Sequence, residues 1–64
     1  MLMMGNDNAT RYVRRIRNKA KRAYASHVYS AMVHDAELPD STPFHLSAMA
    51  AQAVRMNLAE LLKT

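Results

Sequence analysis

Residues 9–34 read ATRYVRRIRNKAKRAYASHVYSAMVH, and their apolar side chains recur every three or four positions. No glycine or proline interrupts this stretch. Such spacing places the apolar side chains on one face of a helix and is typical of a helix that packs against a core. We therefore predict one uninterrupted helix that starts between Asp7 and Thr10 and ends near His34, a rod of about 39 Å at about 1.5 Å per residue.

A second helical pattern follows an acidic connector over residues 35–42, DAELPDST. Pro39 prevents the first helix from continuing through this connector. Thr42 and Pro43 suit the N-cap and first position of a new helix, which we predict over residues 43–62. The apolar face of that helix consists of Leu46, Ala50, Ala53, Val54, Leu58 and Leu61. Two helices joined by a short loop predict an all-α antiparallel hairpin.

The chain has 64 residues and a mass of 7.2 kDa, which allows one small domain. We expect residues 1–8 to be a mobile N-terminal segment and residues 9–64 to form the helical-hairpin domain. A chain this short buries only about 60% of its unfolded surface, so its core is marginal without a disulfide, a metal or a partner subunit. The absence of cysteine removes the disulfides. We therefore predict a homodimer in which two hairpins form a four-helix bundle.

We predict an interface that joins the C-terminal third of the first helix, which is apolar all round and therefore buried on more than one side, to apolar positions of the second helix. It consists of Val28, Tyr29, Met32, Val33, Val54, Asn57, Leu58 and Leu61. Asn57 is the polar member, and a buried Asn can fix the register of a helical interface by pairing with its symmetry mate. The alternatives for Asn57 are a hydrogen bond to another partner, or exposure at a frayed edge.

The first half of the first helix is strongly basic, in a chain of net charge +4 and pI near 10.0. Seven cations occur there without an intervening acid: Arg11, Arg14, Arg15, Arg17, Lys19, Lys21 and Arg22. Guanidinium groups match the geometry of phosphate, and each neutralised phosphate releases counterions. These seven residues, the basic segment, predict a surface for nucleic acid or for an acidic protein. The alternative is a solvated face, although such a face usually carries acidic partners one turn away.

The stretch ATRYVRRIRNKAKRA, residues 9–23, resembles the arginine-rich RNA-binding helices of phage antitermination proteins. Arg11, Arg14, Arg15 and Arg17 stand where those helices contact phosphates and bases. The resemblance covers less than a quarter of the chain and implies RNA as a ligand. The chain departs from those mostly polar helices in its apolar stripe.

No catalytic, metal or cofactor site is predicted. His27 and His34 are about 10.5 Å apart along a helix, too far to share one ion. The serines lack the glycine-rich turn that exposes a nucleophile. The apolar face of the first helix has too little Trp, Phe and Leu to insert well into a membrane surface. We expect neither an enzyme nor a small-molecule substrate, and the absence of cysteine and of a signal-peptide core favours the cytoplasm.

Two function classes remain. The first is a small nucleic-acid-binding or regulatory protein that uses the basic segment. The second is a protein-protein interaction module, such as a small inhibitor or adaptor of the kind that phages and other mobile elements encode. Met49 and Met56 lie seven residues apart on the second helix and suit either packing within the bundle or contact with such a partner.

Overall fold

A computed structural model describes residues 7–63. It contains three α-helices, α1 (Asp7–Arg15), α2 (Lys19–Val33) and α3 (Ala48–Lys63), and a short 3₁₀ helix at Thr42–Phe44. No strand occurs within these residues, so the all-α prediction is confirmed. Residues 1–6 and Thr64 lie outside the described part of the chain, and the predicted mobile segment therefore falls mostly there.

The prediction of a single long first helix is wrong, because the chain leaves the helical conformation between α1 and α2. Asn18 adopts an extended conformation (φ −68°, ψ 122°), and its Oδ1 accepts a hydrogen bond of 2.9 Å from the Lys21 N–H. Asn is among the best N-cap residues, since its side chain satisfies a backbone donor that has no partner within the helix. The longest principal extent is 33 Å, shorter than the predicted rod alone.

The core forms where α2 and α3 pack together and α1 packs against both. Its four largest members are Tyr24, Val28, Val54 and Leu58, each fully buried. The remaining buried side chains are three alanines, Ala9, Ala25 and Ala51. α1 therefore contributes only one methyl group to the fully buried set.

Most residues of the predicted apolar helix faces pack in or against the core, as expected. Tyr12, Val13 and Ile16 are half-buried and pack against the core, as do Leu46 and Leu61. Ala53 on α3 and Ala23 on α2 are exceptions, since both are exposed although their helical angles match the predicted faces.

The first connector turn ends α2 by backbone hydrogen bonds rather than by Pro39. Ala36 N–H donates to the Ala31 carbonyl at 2.8 Å, and Asp35 N–H donates to the Met32 carbonyl at 3.4 Å. This pair of bonds is a Schellman motif, which requires a left-handed residue after the helix cap. Asp35 occupies that position with φ 55°, where glycine is the usual residue.

The connector is longer than predicted and folds back along α2. The Tyr24 hydroxyl donates to the Pro39 carbonyl at 2.9 Å, and the Phe44 ring lies edge-on to Tyr24 with centroids 5.3 Å apart. The connector therefore returns from the end of α2 to the level of Tyr24, in the first half of that helix.

The second long helix starts later than predicted. Thr42 and Pro43 begin the 3₁₀ helix, and α3 begins at Ala48. Ser47 caps α3, because its Oγ accepts a hydrogen bond of 3.1 Å from the Ala50 N–H. His45 separates the two elements in a left-handed conformation, with φ 59°.

Replacing Asp35 by glycine should stabilise the protein. Glycine adopts a positive φ without the steric cost that a Cβ imposes, and the change also removes an acidic charge from the negative end of α2. We expect Asp35→Gly to raise the free energy of unfolding by about 0.5–1 kcal/mol, or the melting temperature by roughly 2–8 °C. Asp35→Asn is the matched control, since it removes the charge and keeps the side chain. Equal or lower stability of Asp35→Gly in thermal unfolding would contradict this assignment.

Asp40 should titrate below its ordinary range. Its carboxylate accepts hydrogen bonds of 3.0 Å from both the N–H and the hydroxyl of Thr42, and these bonds lower the pKa of Asp40 from 3.8. A depressed pKa in the folded state means that this stabilisation is present above pH 3.8 and disappears as the pH falls through the folded value. NMR titration should give a midpoint below 3.8. Thr42→Ala should move the midpoint upward, and an unchanged midpoint in that variant would exclude the hydroxyl as a cause.

Candidate functional site

The basic segment spans a bend rather than one helix. Arg11, Arg14 and Arg15 lie on α1, Arg17 lies in the junction, and the other three, Lys19, Lys21 and Arg22, lie in the first turns of α2. The seven cations therefore occupy two helices with the junction between them. The fifteen residues that resemble arginine-rich RNA-binding helices are interrupted at this same junction.

Packing of α1 directs its cations outward. Tyr12 and Val13 are half-buried against the core, whereas Arg11, Arg14 and Arg15 are exposed. Arg17, Lys19 and Arg22 are also exposed, and Lys21 is half-buried. The basic segment thus lies almost entirely in contact with solvent.

The cations of the basic segment make no ion pair within residues 7–63, where the ion pair is Lys63 to Glu60 at 3.7 Å. The acidic residues of the chain are Asp7, Asp35, Glu37, Asp40 and Glu60, and only Asp7 lies in α1 or the first half of α2. The chain therefore has a strongly positive stretch at one end of its sequence. An interaction with an external anion would not first require a protein carboxylate to be displaced.

The start of α2 intensifies this positive potential. Its first turn contains no acidic residue, and Lys19, Lys21 and Arg22 lie at the end where the helix dipole is also positive. Cations are unfavourable at that end by a few tenths of a kcal/mol each, roughly 0.3–1 at low salt. Nearby negative charge from any source relieves this cost.

Arg22 has a second role that sequence reasoning missed. Its Nη1 donates to the carbonyl of Ile16 at 3.1 Å, across the junction. This bond satisfies a carbonyl that an uninterrupted helix would have satisfied with a backbone N–H. A guanidinium carries five N–H donors, so Arg22 retains donors for an external partner.

Asn57 is not buried within one chain. It is exposed, and its Nδ2 donates to the Tyr12 hydroxyl at 3.2 Å, which joins α3 to α1. Asn57 therefore helps to hold α1 on the body of the protein. The contact spans 45 residues of sequence, and no local pattern identifies it.

The residues of the predicted interface differ in how far they are buried within one chain. Val28, Val54 and Leu58 are fully buried within one chain, so their apolar surface is covered without a partner. Three others, Tyr29, Met32 and Leu61, are half-buried against the same core. Val33 is exposed at 56%, and together with Asn57 it is the part of the predicted interface that faces solvent.

The exposed apolar surface is concentrated in other residues. Met49 is exposed at 82%, Met56 at 60% and Leu38 at 40%. Both methionines lie on α3 and are largely exposed in one chain. The two predicted alternatives, packing within a bundle of two copies and contact with another partner, both stay predictions.

Arg55 is a further residue that the sequence did not single out. It is half-buried, its Nε is buried without a hydrogen-bond partner among the described residues, and its charge adds to the lowering of the Asp40 pKa. The largest cause of the lowered Asp40 pKa is the hydrogen bond from the Thr42 backbone, and the charge of Arg55 is a smaller one.

Within residues 7–63, the histidines do not form a group of three potential metal ligands with each other or with acidic residues. His27 is exposed, and the centroid of its ring lies 5.2 Å from that of Phe44. His34 caps α2 through its backbone N–H, which donates to the Ser30 carbonyl at 3.0 Å.

Comparison with known proteins finds no relative: no protein-family model matches the chain, and neither a curated protein nor a solved structure is similar to it. Among the described helices, none combines the length and the hydropathy that crossing a membrane requires. The basic segment remains the feature with the most distinctive chemistry.

Proposed function

We propose that this protein binds nucleic acid through the basic segment, as a small regulatory protein. The observation that carries the proposal is the set of seven cations between Arg11 and Arg22, nearly all exposed and without an ion pair among residues 7–63. Phosphate contacts supply the affinity, because each one releases counterions from the polyanion. Arginine predominates in the basic segment, and its planar guanidinium binds phosphate oxygens in pairs.

The proposal also includes a homodimer. Among residues 7–63, seven side chains are fully buried in one chain and three of them are alanine, while two methionines of α3 are largely exposed. A small domain gains stability when such apolar surface is covered by a second copy. Two copies would also double the number of basic segments and strengthen binding to a polyanion.

A second candidate function is a protein-protein interaction module that docks on an acidic protein. The exposure of Met49 and Met56 favours it, because methionine adapts to varied apolar surfaces. Such a module binds a narrow set of partners and depends on apolar contacts as well as on charge.

Binding to nucleic acid should depend steeply on salt and on the arginines of α1. We expect fluorescence anisotropy to show affinity falling on the order of 10²–10³-fold between about 50 and 200 mM salt, if about five phosphates are neutralised. Arg14→Gln/Arg15→Gln should weaken binding more than tenfold and reduce the slope of log affinity against log salt by about two.

Lys63→Glu is the matched control, since it also lowers the net charge by two but lies on α3. It should bind almost as tightly as the natural chain. Equal weakening by both variants would attribute binding to net charge rather than to the basic segment. No binding at low salt would refute the proposal and leave the protein-protein module.

Sedimentation equilibrium tests the homodimer directly. At micromolar protein we expect a species of twice 7.2 kDa. Met49→Lys/Met56→Lys should shift the equilibrium toward the monomer if these exposed side chains take part, whereas Ser26→Lys/Ser30→Lys, exposed on α2, is the control. A mass of 7.2 kDa across the whole concentration range would refute the homodimer.

A further inference from the structure

We infer that the nucleic acid is a double-stranded one, held by its phosphate backbones rather than by stacking on its bases. This inference rests on the proposed function and specifies its ligand. A second observation, independent of the charges, supports it: the aromatic rings of the chain pack in or against the core.

The chain has three tyrosines, one phenylalanine and no tryptophan, and all four rings lie within the described residues. Tyr24 is fully buried, with its hydroxyl bonded to the Pro39 carbonyl. Phe44 packs between Tyr24 and His27, with centroids 5.3 and 5.2 Å away. Tyr29 is half-buried against the core. None of these three belongs to the basic segment.

Tyr12 is the one aromatic ring among the cations of the basic segment. It faces the core, where it is half-buried, and its hydroxyl accepts the hydrogen bond from Asn57. Stacking a base on the Tyr12 ring would require α1 to separate from α3 and expose Val13 and Ile16, which pack on the same side. The basic segment therefore offers charge without a stacking platform.

Proteins that bind single strands combine cations with exposed aromatic rings, and stacking contributes about 1–3 kcal/mol per base. Without stacking, the affinity comes from phosphate neutralisation, and this favours the ligand with the higher charge density. A duplex carries one charge per about 1.7 Å of axis, half the spacing of one strand. Each contact also releases more counterions from a duplex, about 0.9 against about 0.7 from a single strand.

The bend supports the same ligand. Cations on α1 and on the start of α2 belong to two helices that the junction at residues 16–18 separates. Every duplex presents two backbones on either side of a groove, about 6 or 12 Å wide in B-form DNA, so the two basic helices can each contact a strand. B-form DNA and A-form RNA share this chemistry, and the experiment separates them.

The test is fluorescence anisotropy with four labelled probes: a DNA duplex of about 20 base pairs, one of its strands, and the corresponding RNA duplex and strand. At about 50 mM salt we expect at least one duplex to bind tenfold or more tightly than its own strand, with a steeper salt dependence. The duplex with the higher affinity identifies the DNA or RNA source. The full chain is used throughout.

Tyr12→Leu provides a second measurement and Tyr12→Phe is its matched control, since both remove the hydroxyl that bonds Asn57 and only leucine also removes the ring. Duplex affinity should change less than threefold, provided that circular dichroism shows the variant folded. Single strands that bind as tightly as duplexes, or a tenfold loss in folded Tyr12→Leu relative to Tyr12→Phe, would overturn this inference and leave the proposed function intact. No binding to any probe would instead refute the proposed function itself.

Discussion

The cap that Asn18 forms at the start of α2 is the constraint on which the rest of the structure depends. The chain is not helical at residues 16–18, and on the N-terminal side of this interruption Tyr12 and Val13 pack against the core. With the chain bent there, α1 packs on both other helices. The Asn18 side chain and the Arg22 guanidinium satisfy backbone groups that the interruption would otherwise leave without partners. The outward direction of the arginines follows from this packing.

The connector plays the complementary role on the other side of the core. Its return along α2 brings Pro39 and Phe44 to Tyr24, the largest fully buried side chain. A hydroxyl buried without a partner costs free energy, and the Pro39 carbonyl removes that cost. The chain therefore completes its small core with the connector and its short 3₁₀ helix, and the Tyr24 and Phe44 rings pack against each other there.

Helical class and most inward-facing positions could be predicted, because spacing of three and four residues reports directly on which face is buried. The interruption at Asn18 could not, since Arg, Lys and Ala around it all favour helix and the gain from packing α1 is a tertiary effect. The length of the connector could not be predicted for a related reason: Asp35 and His45 adopt left-handed conformations without the glycine that usually signals them. The seven cations are visible in the sequence, whereas the Ile16–Arg22 and Tyr12–Asn57 bonds depend on the fold.

The uneven share of the core among the helices has a consequence for motion. α2 and α3 each contribute three fully buried residues, but α1 contributes only Ala9. The least buried unit of a domain opens first in local unfolding, and its amide hydrogens exchange with water before those of the rest. The element that carries three of the arginines is thus the one held most weakly, and a polyanion bound there would tie it down. Under the proposed function, binding of a polyanion to the basic segment would therefore slow hydrogen exchange of the α1 amides.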